Sequence, residues 1–146
     1  MRRTVSVLVA LATGTLTAGC ESAAEKATES SQREVQCTAS AKAVTMPSSV
    51  PSGLPMPPDA LLFQVDDRGK NGVVLSAVTS APFKDVLAAM NRGYSTNGFT
   101  ITKGETEKHD AEANWTAPGY RGRWAIREIS SQCAGETLVT VLVGQG

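Results

Sequence analysis

Residues 80–103 read SAPFKDVLAAMNRGYSTNGFTITK, and the change of hydrophobic period inside this stretch decides the fold class. Phe83, Val86, Leu87, Met90 and Tyr94 recur at i, i+3, i+4, i+7 and i+11, which places them on one stripe of an α-helix. Ser80 is positioned to accept hydrogen bonds from the first free backbone N–H groups, and Pro82 suits the first turn. Asn97-Gly98 ends the helix, because glycine tolerates the left-handed conformation that terminates it. Beyond that stop, Phe99, Ile101 and Lys103 alternate with Thr100 and Thr102, the two-residue period of a strand with one wet face.

Strand patterns extend from this unit in both directions. Upstream, Leu61 to Val65 and Val73 to Val78 flank the loop Asp66-Asp67-Arg68-Gly69-Lys70-Asn71-Gly72 and read as a hairpin. Downstream, Ala111, Ala113, Trp115 and Ala117 alternate with Glu112, Asn114 and Thr116. Pro118-Gly119 fits the central positions of a type II turn that sends the chain back through Trp124 to Ile129. Thr137 to Val143 is the most β-prone run, and it is expected in the middle of the sheet. Together these elements predict an α+β two-layer sandwich, an antiparallel sheet of five to six strands with one helix on one face. The opposite face is expected to stay wet, carrying Gln64, Ser76, Thr100, Thr102, Glu112, Asn114 and Thr116.

Five of the seven prolines, Pro47, Pro51, Pro55, Pro57 and Pro58, fall in residues 37–58, which excludes regular helix and central strand there. An extended segment wrapping the domain is expected instead, laying down Met46, Val50, Leu54 and Met56. Residues 21–36, rich in Glu, Ser, Ala and Thr, show no apolar stripe and read as a tether with a reach of roughly 20 Å.

The first twenty residues have the layout of a secretory signal: Arg2 and Arg3, an apolar run from Val5 to Leu11, then small residues. Leu16-Thr17-Ala18-Gly19-Cys20 resembles the lipobox of bacterial lipoproteins. The resemblance covers only the leader. It implies cleavage after Gly19, a diacylglyceryl group on the Cys20 sulfur with palmitate-type chains, and a domain held at a bacterial membrane on its extracytoplasmic side. Each buried methylene contributes about 0.8 kcal/mol, so two or three acyl chains anchor stably where one does not. The expected organisation is a signal peptide over 1–19, a lipidated cysteine and tether over 20–36, and one domain over 37–146.

With Cys20 assigned to lipid, Cys37 and Cys133 are the thiols left in an oxidising compartment, and a disulfide between them is expected. Metal-bound thiols are the weaker alternative, since neither cysteine has a CxxC neighbour. The chain carries 14 basic and 14 acidic side chains, interspersed in sign, which argues against a nucleic-acid partner.

Groups for chemistry are sparse. The only histidine, His109, lies in the charged turn Glu105 to Asp110, and a catalytic triad needs a histidine oriented by an acid toward a nucleophile. Asp66, Asp67 and Asn71 lack the spacing of a calcium loop. No catalytic residue, metal or cofactor is therefore expected. The stretch from Trp115 to Trp124 is the candidate binding surface: Trp115, Tyr120, Trp124, Arg121 and Arg123 are types enriched at binding hot spots. Trp115 and Trp124 suit the core beneath the helix better than the surface, which leaves Tyr120 and Arg121 as the exposed pair. The expected function is a binding or accessory module of the cell envelope that meets a protein or glycan. The rival readings are an envelope enzyme with a dispersed site, such as an acid of the Asp66 loop with His109, and a structural or immunity-type surface lipoprotein.

Overall fold

Alternating apolar residues can bury only against a second layer, and the helix that follows the second strand supplies it. A computed structural model describes residues 35–146; the signal segment, Cys20 and most of the tether lie outside the described residues. Strands β1 (Leu61–Asp67) and β2 (Val73–Thr79) precede helix α1 (Phe83–Thr96). Then follow β3 (Thr100–Thr106), β4 (Asp110–Ala117), β5 (Tyr120–Glu128) and β6 (Thr137–Gln145). The strands form one antiparallel sheet in the order β1-β2-β6-β5-β4-β3, with β6 near its centre as its composition demands. The fold is α+β, with the helix packed on one face of the sheet.

Phe83, Val86, Met90 and Tyr94 are the buried side of α1, and Leu87 packs at the margin of the same core. Under them lie Leu75 and Ala77 of β2, Val139 and Val141 of β6, Trp124 and Ile126 of β5, and Trp115 of β4. Tyr94 sits among aromatic rings, with centroids 5.2 Å from Phe99, 5.8 Å from Trp115 and 6.3 Å from Trp124. Asn97 caps the C-terminus and Gly98 follows at φ 79°. The N-terminus differs from expectation: Pro82 occupies the cap position, and the Thr79 hydroxyl, not that of Ser80, accepts a bond from the Ala81 N–H at 3.1 Å. Proline has no side-chain oxygen to accept from the first turn, so the helix starts without a side-chain cap.

Burial pushes the Tyr94 phenol far above its ordinary pKa and keeps it neutral. Its hydroxyl has no protein hydrogen-bond partner. A buried hydroxyl without a partner costs about 1–3 kcal/mol, so Tyr94→Phe is expected to raise the unfolding free energy by about 1 kcal/mol in urea denaturation. A destabilised phenylalanine variant would show that the oxygen is needed where it sits.

The proline-rich segment is a strap. Its start is joined to the domain by the Cys37–Cys133 disulfide, with Cα atoms 5.4 Å apart. There Val35, Cys37 and Ala41 pack against Phe63, Val78, Ile129 and Leu138 on the face away from the helix. The strap then passes the outer edge of β1, where the Val44 N–H donates to the Leu62 carbonyl at 2.8 Å. It ends on the helix side, with Val50 buried and Leu54 and Met56 against the main core. Met46 does not join them; it stays 39% exposed at the crossing.

The helix-free face is only partly wet. Ser76 lies on it as expected but is fully buried, beside the equally buried Thr140 to which it is paired. The reason is position: both are short side chains on central strands, set between Val74, Val78, Leu138 and Leu142 in the alternation of the same strands. Two further expectations shift. β5 begins at Tyr120 instead of Trp124, continuing directly from the turn at Gly119 (φ 74°). β3 carries an irregularity between Ile101 and Lys103. A bulge inserts one residue into the alternation, so Lys103 shares its face with Asn114 and not with Ile101.

Candidate functional site

The bulge in β3 matters because it delivers a charged side chain to the helix-free face. Lys103 and Glu105 of β3, Glu112 and Asn114 of β4, and Arg123 of β5 line one polar cleft of about 110 Å³. The register explains the grouping: Lys103 lies opposite Asn114, Glu105 opposite Glu112, and Asn114 opposite Arg123. Two acids directly opposite repel. The Arg123 guanidinium forms an ion pair with Glu112, which places positive charge beside them. The Arg123 side chain is 18% exposed and that of Glu112 40%, so the pair lies on the face of the sheet and still meets solvent. The cleft therefore offers both signs of charge and an amide within one concavity, a set that binds polar groups by hydrogen bonds and selects little by net charge.

The candidate surface read from the sequence divides in two. Trp115 and Trp124 are each 1% exposed and belong to the core, with no ring surface to offer a partner. Tyr120 faces the same side and packs half-buried against that core. Arg121 is exposed opposite Thr116, on the face of the cleft, and Arg123 lies in the cleft itself. The aromatic and basic residues alternate along β5, so the sheet sends them to opposite sides. Lys103 and Glu105 were not singled out from the sequence as site residues. The signal that finds them is the charged residue interrupting an apolar alternation at position 103, which marks a bulge.

His109 and Asp66 are not brought together. His109 precedes β4 while Asp66 is on β1, with β2, β6 and β5 between those strands. Asp66 pairs with Arg68 at 2.6 Å, and the Asp67 carboxylate accepts from the Gly69 N–H at 2.8 Å, so these acids close their own hairpin loop. His109 Nδ1 lies 2.6 Å from the Glu128 carboxylate. The Ser130 hydroxyl, donating to Glu128 at 2.6 Å, and then His109 hold the Glu128 carboxyl below its ordinary pKa. A depressed carboxylate contributes stability above its unfolded pKa and loses it as pH falls through the folded value. Glu128→Gln is accordingly expected to flatten the fall in stability below about pH 4.5, read from urea midpoints across acid pH. Equal acid limbs in both proteins would contradict that linkage.

Cys37, Cys133 and Glu136 lie close together, but the two sulfurs are bonded to each other. The Glu136 carboxylate is occupied by the Thr38 N–H at 2.8 Å and the Thr38 hydroxyl at 2.6 Å. This group fastens the strap. Among the described residues no helix is long and apolar enough to cross a membrane. Comparison with family models, curated proteins and solved structures returned no match to the chain.

Proposed function

We propose that the protein is an exported lipoprotein, held at a bacterial membrane by a lipid on Cys20, whose domain serves as a binding or accessory module of the cell envelope. The observation that carries the export reading is the Cys37–Cys133 disulfide, because such bonds persist where the compartment is oxidising. It is independent of the leader, and both point outward from the cytosol. The lipobox from Leu16 to Cys20 supplies the anchor.

For binding, the support is the cleft on the helix-free face, where Lys103, Glu105, Glu112, Asn114 and Arg123 converge on a rigid sheet. Side chains on strands are held more precisely than those on loops. A protein segment or a glycan fits this chemistry, since either presents donors and acceptors without requiring one sign of charge.

Mass spectrometry of the chain from a lipoprotein-processing bacterium tests the address. The expected product begins at Cys20 and carries a diacylglyceryl group, and Cys20→Ser is expected to release the domain from the membrane fraction. A free Cys20 thiol on membrane-free material would overturn it. For the surface, Asn114→Ala combined with Arg123→Ala is expected to abolish retention of the partner by the tethered protein. Retention equal to that of the unaltered chain would move the site elsewhere.

A further inference from the structure

The two edges of the sheet are treated differently. β1 is shielded by the strap, through the Val44–Leu62 hydrogen bond. β3 pairs with β4 on one side, and all seven of its residues, Thr100–Thr106, are exposed. Among the described residues no strand pairs with its other side. A bare edge is a template for another strand, and lysine and bulges are the usual means of blunting it. β3 has both, in Lys103 and in the irregularity between Ile101 and Lys103.

We propose that β3 pairs antiparallel with β3 of a second copy, about a two-fold axis at Gly104. The residues Thr102-Lys103-Gly104-Glu105-Thr106 are complementary to themselves when reversed. In that register Lys103 faces Glu105 of the second copy, Gly104 faces Gly104, and the same charge pair recurs on the far side of the axis. Opposite charges are favourable directly across antiparallel strands, and this alignment makes two such pairs. Glycine at the axis puts no side chain in the centre of the pair.

Lys103 and Glu105 project on the same face by their register with β4, so each cation meets its acid on one side of the joined sheet. The guard thereby becomes a selector. An unrelated strand leaves Lys103 facing an apolar or basic neighbour, whereas a second copy presents an acid at the required place. The bulge falls at Thr102, which has no partner on β4, so regular pairing centres on Lys103, Gly104 and Glu105 and the edge bends away before them. The product is one sheet with six strands from each copy, both helices on one side and both clefts on the other. The interface is isologous, the arrangement that closes at two copies and does not propagate.

Carbodiimide coupling of an equal mixture of isotopically heavy and light full-length chains, purified in detergent, tests the register. The expected product is a heavy–light peptide pair joining Lys103 to Glu105. Sedimentation then tests the energetics: Lys103→Glu and Glu105→Lys each are expected to weaken self-association about tenfold, by setting like charges across the axis at two places. The double exchange Lys103→Glu with Glu105→Lys is expected to restore it. Both positions are exposed, so unchanged circular dichroism accompanies the loss. Absence of heavy–light pairs, coupling of Lys103 to another carboxylate, or a double exchange as weak as the single ones overturns the proposal. None of these outcomes bears on the lipid at Cys20.

Discussion

Replacing Cys37 and Cys133 together by serine is expected to lower the unfolding free energy by about 4 kcal/mol, among the largest losses expected of any replacement in this chain. The two residues are 96 apart, so the bond closes most of the domain into one loop and removes that loop's entropy from the unfolded chain. Few other contacts hold the strap where it begins. The Thr38–Glu136 bonds and the packing of Val35 and Ala41 on Phe63 and Leu138 are each partly exposed to solvent. Without the covalent link the strap is expected to open first, uncovering the edge of β1 and the side of Phe63. Urea denaturation of the oxidised chain and of the serine variant measures the difference, with the reduced chain matching the variant. A loss below about 1 kcal/mol would mean that packing alone holds the strap, and the argument for a covalently braced exported domain would lose its energetic basis.

The pattern that indicates the helix and the five to six strands is local, and it places those elements while missing the cap at Pro82 and the bulge in β3. Phe83, Val86, Met90 and Tyr94 lie under the helix because a 3.6-residue period admits one buried stripe. The strands at Leu61, Val73, Thr100, Asp110 and Thr137 appear where alternation and β-branched residues indicate them, while β5 starts at Tyr120, ahead of the expected Trp124. What a local pattern does not carry is which strand lies beside which, and how a segment without period runs. Ser76 reads as a wet-face residue from alternation alone, yet its burial follows from β2 having neighbours on both sides. The cleft is a property of register: Glu105, Glu112, Asn114 and Arg123 meet only once β3, β4 and β5 are aligned. The tryptophans show two local signals in competition. Their type suits a binding surface and their phase suits the core, and phase prevailed because an indole buries far more apolar area than it exposes usefully.

Gly122→Ala is expected to cost about 3 kcal/mol or more, despite adding a single methyl group. Gly122 pairs with Trp115 on β4 and Val143 on β6, on the face that receives the helix. A Cβ built there meets the Leu142 carbonyl oxygen and atoms Cζ2 and Cε2 of the Trp115 indole at distances no real contact adopts. The glycine therefore provides the space into which the indole lies, and Trp115 in turn contacts Tyr94 and Phe99, with ring centroids 5.8 and 5.3 Å away. Pushing the indole outward disturbs the helix contact as well as the strand. In the background of Trp115→Phe the alanine is expected to cost less, since the smaller ring lacks the six-membered part of the indole that the methyl strikes. The remaining cost reports the Leu142 carbonyl, which no side-chain change relieves. Urea denaturation of the two single variants and the double variant yields the coupling energy. Strict additivity would place the conflict wholly in the backbone. The consequence is expected to reach the cleft, because Arg123 and Asn114 leave the same two strands on the opposite face, and a displacement of β4 against β5 moves both.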